Sequence, residues 1–253
     1  MTAPLVLATA LGLEYRSLGR ILVRPHPFEE DRLRGVEGTI EDTTVRLVCT
    51  GVGPRRARLA AEAIVATKPL GLVITGLAGA LSPAIRPGTL VLPHEVRAEP
   101  ERQAAVNPAA AILATARASI GGDRISITTG ALLSVARPVN RPRRKQELFE
   151  ATGAIAVDME SHAMLEVADA KGLPALALRG VSDGASDALP DLGEADPEHL
   201  ATQLRIAARA LRHPSQIRNL LSIAAGTRRA LKKLAAAQRA LLPALARTLP
   251  PRY

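Results

Sequence analysis

The stretch GLVITGLAG at residues 71–79 opens with six consecutive residues, GLVITG, that carry no charge. Such a continuous run is typical of a strand buried on both faces, because a strand with one face in water alternates apolar and polar residues. We therefore predict a buried strand at residues 71–76, inside a sheet that helices cover on both sides.

The same kind of pattern extends outward from this strand in both directions. Further strands are predicted at residues 5–10, 88–93, 124–131, 154–157 and 174–181, with a hairpin at residues 38–50 and a loop at residues 182–194. Helices are predicted at residues 14–22, 54–66, 108–119, 141–152 and 160–171. Strands that alternate with helices predict the α/β class, as a single-domain, three-layer α/β/α sandwich.

The composition is that of an ordinary globular protein. Of the 253 residues, 47% are hydrophobic and 23% are charged, and a chain of this length can bury a sizeable core. The single cysteine, Cys49, excludes a disulfide framework and is predicted to lie in the core of a strand. Two Phe, two Tyr and no Trp argue against a protein that reads single-stranded nucleic acid by stacking.

The net charge of +9 is distributed unevenly along the chain. Residues 1–198 hold 22 basic against 24 acidic residues, a net charge of −2, whereas residues 199–253 hold 11 basic residues and no acid. The basic charge therefore belongs to the C-terminal region, which is considered separately from the body of the protein.

Two observations predict a cytoplasmic protein. Residues 1–10 are apolar, but they lack the basic segment of a signal peptide, and Glu14 and Arg16 follow closely. No stretch approaches the roughly 20 uncharged apolar residues that a membrane-spanning helix needs.

Several common chemistries have no signature in this sequence. It contains neither a phosphate-binding G-x-x-x-x-G-K-[ST] loop, nor G-x-G-x-x-G after the first strand, nor a G-x-S-x-G turn. The five histidines are scattered and no cysteines are paired, so we expect no metal site.

Carboxylates are what remains at the predicted strand ends, where ligands bind in sheets of this kind. Glu14 follows the first strand, Asp158 and Glu160 follow a later one, and Asp183 and Asp187 follow the last. Each has an ordinary structural explanation, such as a turn cap for Asp183, a helix first turn for Glu160 or the surface for Glu14. Together they predict acid–base chemistry on an uncharged polyol or heterocycle.

A family resemblance rests on five motifs that occur in order. They are CTGVG at residues 49–53, LVITGLAG at 72–79, RPGTLV at 86–91, VDMES at 157–161 and RGVSD at 179–183. Over about residues 5–212 the chain resembles the nucleoside phosphorylase/nucleosidase superfamily, on the branch of the methylthioadenosine/adenosylhomocysteine nucleosidases. The pair formed by the last two motifs is the most specific.

The resemblance implies a role for each matching residue. Asp183 corresponds to the acid that protonates purine N7, Glu160 to the carboxylate that binds the ribose hydroxyls, and Glu14 to the group that activates water. Met159 corresponds to the residue that packs against the sugar. The other positions implied at the substrate are Ser182, Gly76, Ala78, Gly79, Leu133 and Ser134. Nucleosidases of this family usually carry a stacking aromatic where this chain has Leu133.

The choice between hydrolysis and phosphorolysis stays open, with hydrolysis favoured. Phosphorylases of this superfamily hold phosphate with an arginine after the first strand and an arginine and a serine around the central glycine turn. This chain has Glu14, Ile74 and Leu77 at those positions, and none can bind an oxyanion through its side chain. Phosphate stays open as a co-substrate because other arginines are candidates to bind it: Arg16, Arg55, or Arg137 from another loop or subunit. No other cofactor is expected.

The chain is divided into a catalytic domain at residues 1–212 and a basic amphipathic helical tail at residues 213–253. In the tail a leucine stripe occurs at helical spacing, with basic residues mostly on other faces and breaks predicted at Gly226 and Pro243. The stripe consists of Leu231, Leu234, Leu241, Leu242 and Leu245. Three interpretations stay open: packing on the body or a partner subunit, contact with an anionic membrane surface, or nucleic-acid binding, which nothing else supports.

A nucleosidase-like body with such a tail is similar to the hopanoid-associated phosphorylases, which are assigned to removing adenine from adenosylhopane. This resemblance implies a lipid-linked nucleoside substrate, a homo-oligomer without nucleic acid, and a peripheral location at the inner membrane face. Deleting residues 214–253 is then expected to spare soluble substrates. Two alternatives stay open: a soluble methylthioadenosine/adenosylhomocysteine nucleosidase, and a non-catalytic nucleoside-binding module held at a membrane.

Overall fold

A computed structural model describes residues 3–30, 32–99, 104–121, 125–189 and 214–250. The strands are β1 (Leu5–Thr9), β2 (Val23–Glu30), β3 (Leu33–Ile40), β4 (Thr43–Cys49), β5 (Gly71–Ala80), β6 (Leu90–Val91), β7 (Glu95–Ala98), β8 (Ile127–Thr128), β9 (Ala131–Ser134), β10 (Ala156–Asp158) and β11 (Ala175–Asp183). The helices are α1 (Gly12–Gly19), α2 (Pro54–Ala66), α3 (Ala110–Ile120), α4 (Pro142–Thr152), α5 (Ser161–Ala170) and α6 (Pro214–Thr248). The predicted boundary at residues 212–213 and the end of the loop predicted at 182–194 lie outside the described residues.

The central strand is β5, which contains the stretch GLVITGLAG. Its first half pairs in parallel with β1, its end pairs antiparallel with β10, and β11 runs parallel along its other edge. The main path of the sheet is β2-β3-β4-β1-β5-β10-β9-β7, and β11 continues from β5 to β6 and β8. The predicted buried strand is confirmed and is four residues longer than expected.

Helices cover both faces of this sheet. Along β1, Val6 and Ala8 pack into one hydrophobic cluster and Leu5 and Leu7 into another, because successive side chains point to opposite faces. Helices α2 and α5 contribute to the first cluster, and α1, α3 and α6 contribute to the second. The predicted three-layer α/β/α sandwich is confirmed.

Three strands, β2, β7 and β9, were not predicted from the sequence, since β9 shares only Ala131 with the strand predicted at residues 124–131. Strand β2 has the sequence VRPHPFEE and is largely exposed, and it pairs only with β3 among the described strands. Its two prolines remove backbone donors, which a strand tolerates at the edge of a sheet. Strand β7 follows Pro93 and has four residues, too few to show a period. Cys49, predicted in the core, is exposed at the end of β4, of which it is the last residue.

Helix α6 contradicts the breaks predicted at Gly226 and Pro243, since both residues lie inside one continuous helix. The leucine stripe explains this outcome: its residues are buried in the cluster formed with α1 and α3, and packing along the sheet outweighs the local cost of a proline. Gly226 is buried at a close contact, where an ideal Cβ would lie 2.3 Å from the carbonyl oxygen of Ser182. The stripe therefore packs on the body of the protein.

Candidate active site

Glu14 lies in the first turn of α1, where its buried carboxylate accepts three backbone hydrogen bonds. Its Oε2 accepts from the N–H groups of Ala10 and Leu11, each at 3.0 Å, and its Oε1 accepts from Leu77 at 2.7 Å. Gly76 has φ +146°, and an ideal Cβ there would lie 2.6 Å from Glu14 Oε1, so only glycine allows this approach. Burial raises the pKa of Glu14, against the opposing effects of Arg179 and the three N–H groups.

Arg179, on β11, is a buried cation of the site. Its guanidinium lies 2.5 Å from Asp158 Oδ2 and 3.8 Å from Glu160 Oε2, and it donates to the hydroxyl of Ser161. Glu14 also interacts electrostatically with this guanidinium. One buried cation therefore faces three buried carboxylates, which leaves the site with an excess of negative charge when they are ionised.

Glu160 precedes α5 and is held from two sides. The backbone N–H of Gly53, in the glycine turn before α2, donates to its Oε1 at 2.8 Å. Burial raises the pKa of Glu160 to about 7, with Asp158 and Glu14 adding to the rise and Arg179 and Gly53 opposing it. This carboxyl group therefore exchanges its proton close to neutral pH.

Asp183 ends β11 and is buried beside Gly79, where an ideal Cβ would lie 3.1 Å from its Oδ2. Its Oδ1 accepts a hydrogen bond from the Ser182 hydroxyl at 2.5 Å, and that hydroxyl lies 3.2 Å from the carbonyl oxygen of Ala78. Its Oδ2 lies 2.5 Å from Nζ of Lys145, a residue that sequence reasoning missed. Lys145 belongs to the basic run RPRRK at residues 141–145, in which nothing distinguishes it from its exposed neighbours.

The central strand β5 connects the carboxylates of the site. Gly76 adjoins Glu14 and Gly79 adjoins Asp183, and three residues of strand span about 10 Å. Glu14 and Asp183 thus lie at two points of one strand segment, and Arg179 links Glu14 to Glu160. The structure brings together the three carboxylates to which the resemblance assigns catalysis and ribose binding.

Other predicted residues have structural partners of their own. The side chain of Leu133 packs with Leu81 and Val157 in a third hydrophobic cluster, against which the half-buried Met159 also packs. The Ser134 hydroxyl donates to Asp158 at 2.5 Å and accepts from the backbone N–H of residue 162. Asp187 closes a turn, since its carboxylate accepts from the N–H of Gly184 at 2.7 Å.

The three arginines considered for phosphate binding, Arg16, Arg55 and Arg137, are exposed. Within the described ranges, no group of three or more His, Cys, Asp and Glu side chains could hold a metal ion. In the same part of the chain, no helix is both long and apolar enough to cross a membrane.

Comparison with known proteins places the chain in a family. Residues 4–217 match the Phosphorylase superfamily, and the chain belongs to it. This result confirms the superfamily of enzymes that the five motifs predicted.

Solved structures of low sequence identity share the fold. An MTAN mutant of Helicobacter pylori with 5′-methylthioadenosine in the active site is 15% identical, with a TM-score of 0.75 over 96% of this chain and 99% of that one. The futalosine hydrolase of Helicobacter pylori is 16% identical, with a TM-score of 0.76 over 96% and 98%. A Colwellia psychrerythraea 5′-methylthioadenosine/S-adenosylhomocysteine nucleosidase in complex with adenine is 18% identical, with a TM-score of 0.74 over 97% and 96%.

Proposed function

We propose that this protein cleaves the N-glycosidic bond of a 5′-modified adenosine and releases adenine. The observation that carries the proposal is the set of buried carboxylates Glu14, Glu160 and Asp183 arranged around β5 and Arg179. The fold neighbours support the choice of base and sugar, because they include nucleosidases solved with 5′-methylthioadenosine and with adenine.

Each carboxylate has a task that its surroundings suit. Asp183 supplies the proton that purine N7 needs, since the base is a poor leaving group until that nitrogen is protonated. Glu160 binds the ribose hydroxyls. The negative charge around Arg179, one guanidinium against the carboxylates of Asp158, Glu160 and Glu14, stabilises the cationic sugar of the transition state.

Water is the nucleophile in this proposal. Glu14, fixed by three backbone N–H groups, directs and deprotonates the water, and burial favours its protonated form once the proton has been taken. Ile74 and Leu77 offer no cationic side chain to a phosphate at the positions where phosphorylases of the superfamily carry one.

For the 5′ substituent we propose a lipid, as in adenosylhopane. Two exposed apolar residues support this choice: Leu13 precedes Glu14, and Val52 precedes Gly53, the donor to Glu160. Basic residues along the exposed side of α6 would meet the anionic surface that carries such a substrate. A soluble 5′-methylthioadenosine/S-adenosylhomocysteine nucleosidase is the second candidate, supported by the nucleosidases among the fold neighbours.

The test is adenine release, followed by chromatography, from methylthioadenosine, adenosylhomocysteine and detergent-dispersed adenosylhopane, each with and without phosphate. We expect phosphate-independent release, fastest from adenosylhopane. A ribosyl phosphate product would instead establish phosphorolysis. If no substrate loses its base, the chain is a nucleoside-binding module and the proposed activity is wrong.

The variant Asp183→Asn tests the role of Asp183 as the general acid. We expect turnover to fall at least about 100-fold while substrate binding persists, because an amide of the same shape has no proton to donate. Asp169→Asn is the control, since Asp169 is an exposed aspartate on α5. Equal turnover of Asp183→Asn and the wild type would remove the acid assignment.

A further inference from the structure

Lys145 is a fully buried lysine whose ammonium group has three acceptors. It lies 2.5 Å from Asp183 Oδ2, and it donates to the carbonyl oxygens of Gly184 at 2.7 Å and Asp187 at 3.0 Å. An ammonium group has three hydrogens, so its donor capacity is filled. The lysine thus holds both the candidate acid and the loop that follows it.

Stability alone does not explain a lysine at this position of α4. A buried ion pair recovers in attraction about what it loses in desolvation, and an apolar pair of similar volume is often as stable. One turn further along α4, Leu148 fills the neighbouring core, whereas Arg143, Arg144 and Gln146 are exposed. The single basic residue that α4 buries is the one that meets Asp183.

Of the two aspartates near Lys145, Asp183 is the one whose carboxylate forms an ion pair with it. Asp187, the other acid of this loop, has its carboxylate on the N–H of Gly184 and offers Lys145 only its backbone oxygen. Ser182 occupies Oδ1 of Asp183 and Lys145 occupies Oδ2. Hydrogen bonds thereby orient both carboxylate oxygens of Asp183, and one of the two donors, the Lys145 ammonium group, is positively charged.

We infer that Lys145 is a positioning residue that acts through Asp183, holding its carboxyl group toward the base and stabilising the carboxylate formed when the proton is given up. This inference rests on the proposed function. As the C1′–N9 bond breaks, its electron pair enters the purine and N7 takes the proton of the Asp183 carboxyl group. The Lys145 ammonium keeps its proton and stabilises the carboxylate that this transfer leaves on Asp183. The attacking water gives one proton to Glu14, and Asp183 is protonated again from solvent after adenine has left.

The first experiment compares kcat and KM of Lys145→Met with those of the wild type, using adenine release from the best substrate. We expect kcat to fall roughly 100-fold with KM within threefold, because methionine fills the space but neither orients the acid nor stabilises its carboxylate. Arg143→Met, an exposed substitution on the same helix, is the control and should keep both constants. A kcat of Lys145→Met within threefold of the wild type overturns the inference.

The second experiment remains decisive even where Lys145→Met folds poorly, because it adds the substitution to Asp183→Asn and removes both charges together. If Lys145 acts through Asp183, the double variant has a kcat within threefold of Asp183→Asn. A further tenfold loss overturns the inference, since Lys145 would then act independently. Melting temperatures are measured for all four proteins.

The two proposals fail in different ways. If the wild type releases no adenine from any substrate, the proposed function is wrong. The role of Lys145 is then tested by measuring the affinity of the variants for adenine by isothermal titration calorimetry. Binding at least tenfold weaker in Lys145→Met than in Arg143→Met supports the pairing with Asp183, and equal binding overturns it.

Discussion

At the scale of single residues, Arg179 and its acids govern the chemistry of the site. One buried guanidinium holds Asp158 at 2.5 Å and Glu160 at 3.8 Å, and Glu14 interacts with the same charge. Because the acids outnumber the cation, each disfavours the ionisation of the others. The pKa of Glu160 reaches about 7 and that of Glu14 is also raised.

This arrangement predicts a pH dependence of activity. Glu160 serves a cationic sugar as a carboxylate, so kcat/KM should rise as the pH increases through about 7, where the group loses its proton. The ionisation of Glu14 is coupled to that of Glu160, so the rise of kcat/KM with pH reflects both carboxyl groups together. A kcat/KM profile from pH 5 to 9 checks this. Glu160→Gln should lower kcat/KM at least about 100-fold and move the pH-dependent rise to lower pH, because Glu14 then ionises without a second negative charge beside it. A wild-type profile that is flat between pH 6 and 8 contradicts the prediction.

The same shift affects stability with the opposite sign. A carboxyl group whose pKa rises from 4.5 to about 7 on folding stabilises the protein below pH 4.5, and this stabilisation is lost as the pH rises through about 7. The melting temperature of the wild type should therefore fall between pH 5.5 and 8 more than that of Glu160→Gln. Equal falls would show that Glu160 is not the group responsible.

The sequence allowed the carboxylates to be predicted and left Lys145 unseen, for a physical reason. Glu14, Glu160 and Asp183 lie at or just after the ends of predicted strands, where ligands bind in α/β sheets, although β10, before Glu160, turns out to be antiparallel to β5. Lys145 reaches the site from the side of a helix, and which residue of a basic run turns inward depends on how α4 packs. The bond between Arg179 and Asp158 likewise requires the register of β10 and β11 around β5.

At the scale of elements, helix α6 supports the strand that carries the candidate acid. Gly226 lies against Ser182, the residue before Asp183, and an ideal Cβ there would be 2.3 Å from the Ser182 carbonyl oxygen and 2.7 Å from Pro87. Gly180, on the same strand, meets Ala230 of the helix at 2.9 Å by the same measure. The helix and the end of β11 are thus in contact without room for a methyl group.

Gly226→Ala is therefore expected to separate the helix from the strand. Overpacking of this kind costs about 1–3 kcal/mol, so the melting temperature should fall, and kcat should fall with it because Asp183 moves with Ser182. Differential scanning fluorimetry and the adenine assay measure the two effects. Ala236→Ser, an exposed substitution on α6, is the control. A variant with unchanged kcat would show that the contact does not position the acid.

The continuity of α6 could not be read from local propensity. Glycine and proline lower helix propensity by about 1 and 3 kcal/mol, which made breaks at Gly226 and Pro243 the natural prediction. Helices in proteins are stabilised mainly by packing, and the glycine is required by a contact with a strand more than forty positions earlier in the sequence. The helical spacing of the leucines predicted the stripe correctly. The surface on which the stripe packs, formed by the sheet with α1 and α3, depends on the whole fold.

At the scale of the molecule, helix α6 is an integral part of the sandwich. Its five stripe leucines are buried in the cluster that covers one face of the sheet. At about 2 kcal/mol for each buried leucine they contribute about 10 kcal/mol, which is comparable to the whole stability of a typical domain.

Deleting residues 214–253 should therefore unfold the protein, contrary to the expectation that soluble substrates would be spared. Circular dichroism and size-exclusion chromatography of the truncated chain check this result. Deleting only the last residues, 250–253, is the control and should leave the melting temperature within a few degrees. A truncated chain that stays monodisperse and releases adenine contradicts the prediction.

A membrane role of α6 consequently has to be tested by replacing its exposed basic residues, since deleting the helix would unfold the protein. Arg228, Lys232 and Arg239 are exposed and share one side of the helix with Leu221, whose exposure is 65%. Near an anionic surface each basic residue contributes about 1 kcal/mol, so replacing all three by glutamine should weaken vesicle binding roughly 100-fold.

Sedimentation with phosphatidylglycerol-containing vesicles measures this binding, and adenine release from soluble methylthioadenosine should stay unchanged because the leucine stripe remains in place. The wild type should release vesicles as salt rises, since charges beyond a Debye length are screened. Neutral phosphatidylcholine vesicles are the control surface. Equal sedimentation of the wild type and the triple variant would show that these basic residues of α6 do not bind anionic membranes. The proposal of a lipid-linked substrate would then lose the support that it takes from α6.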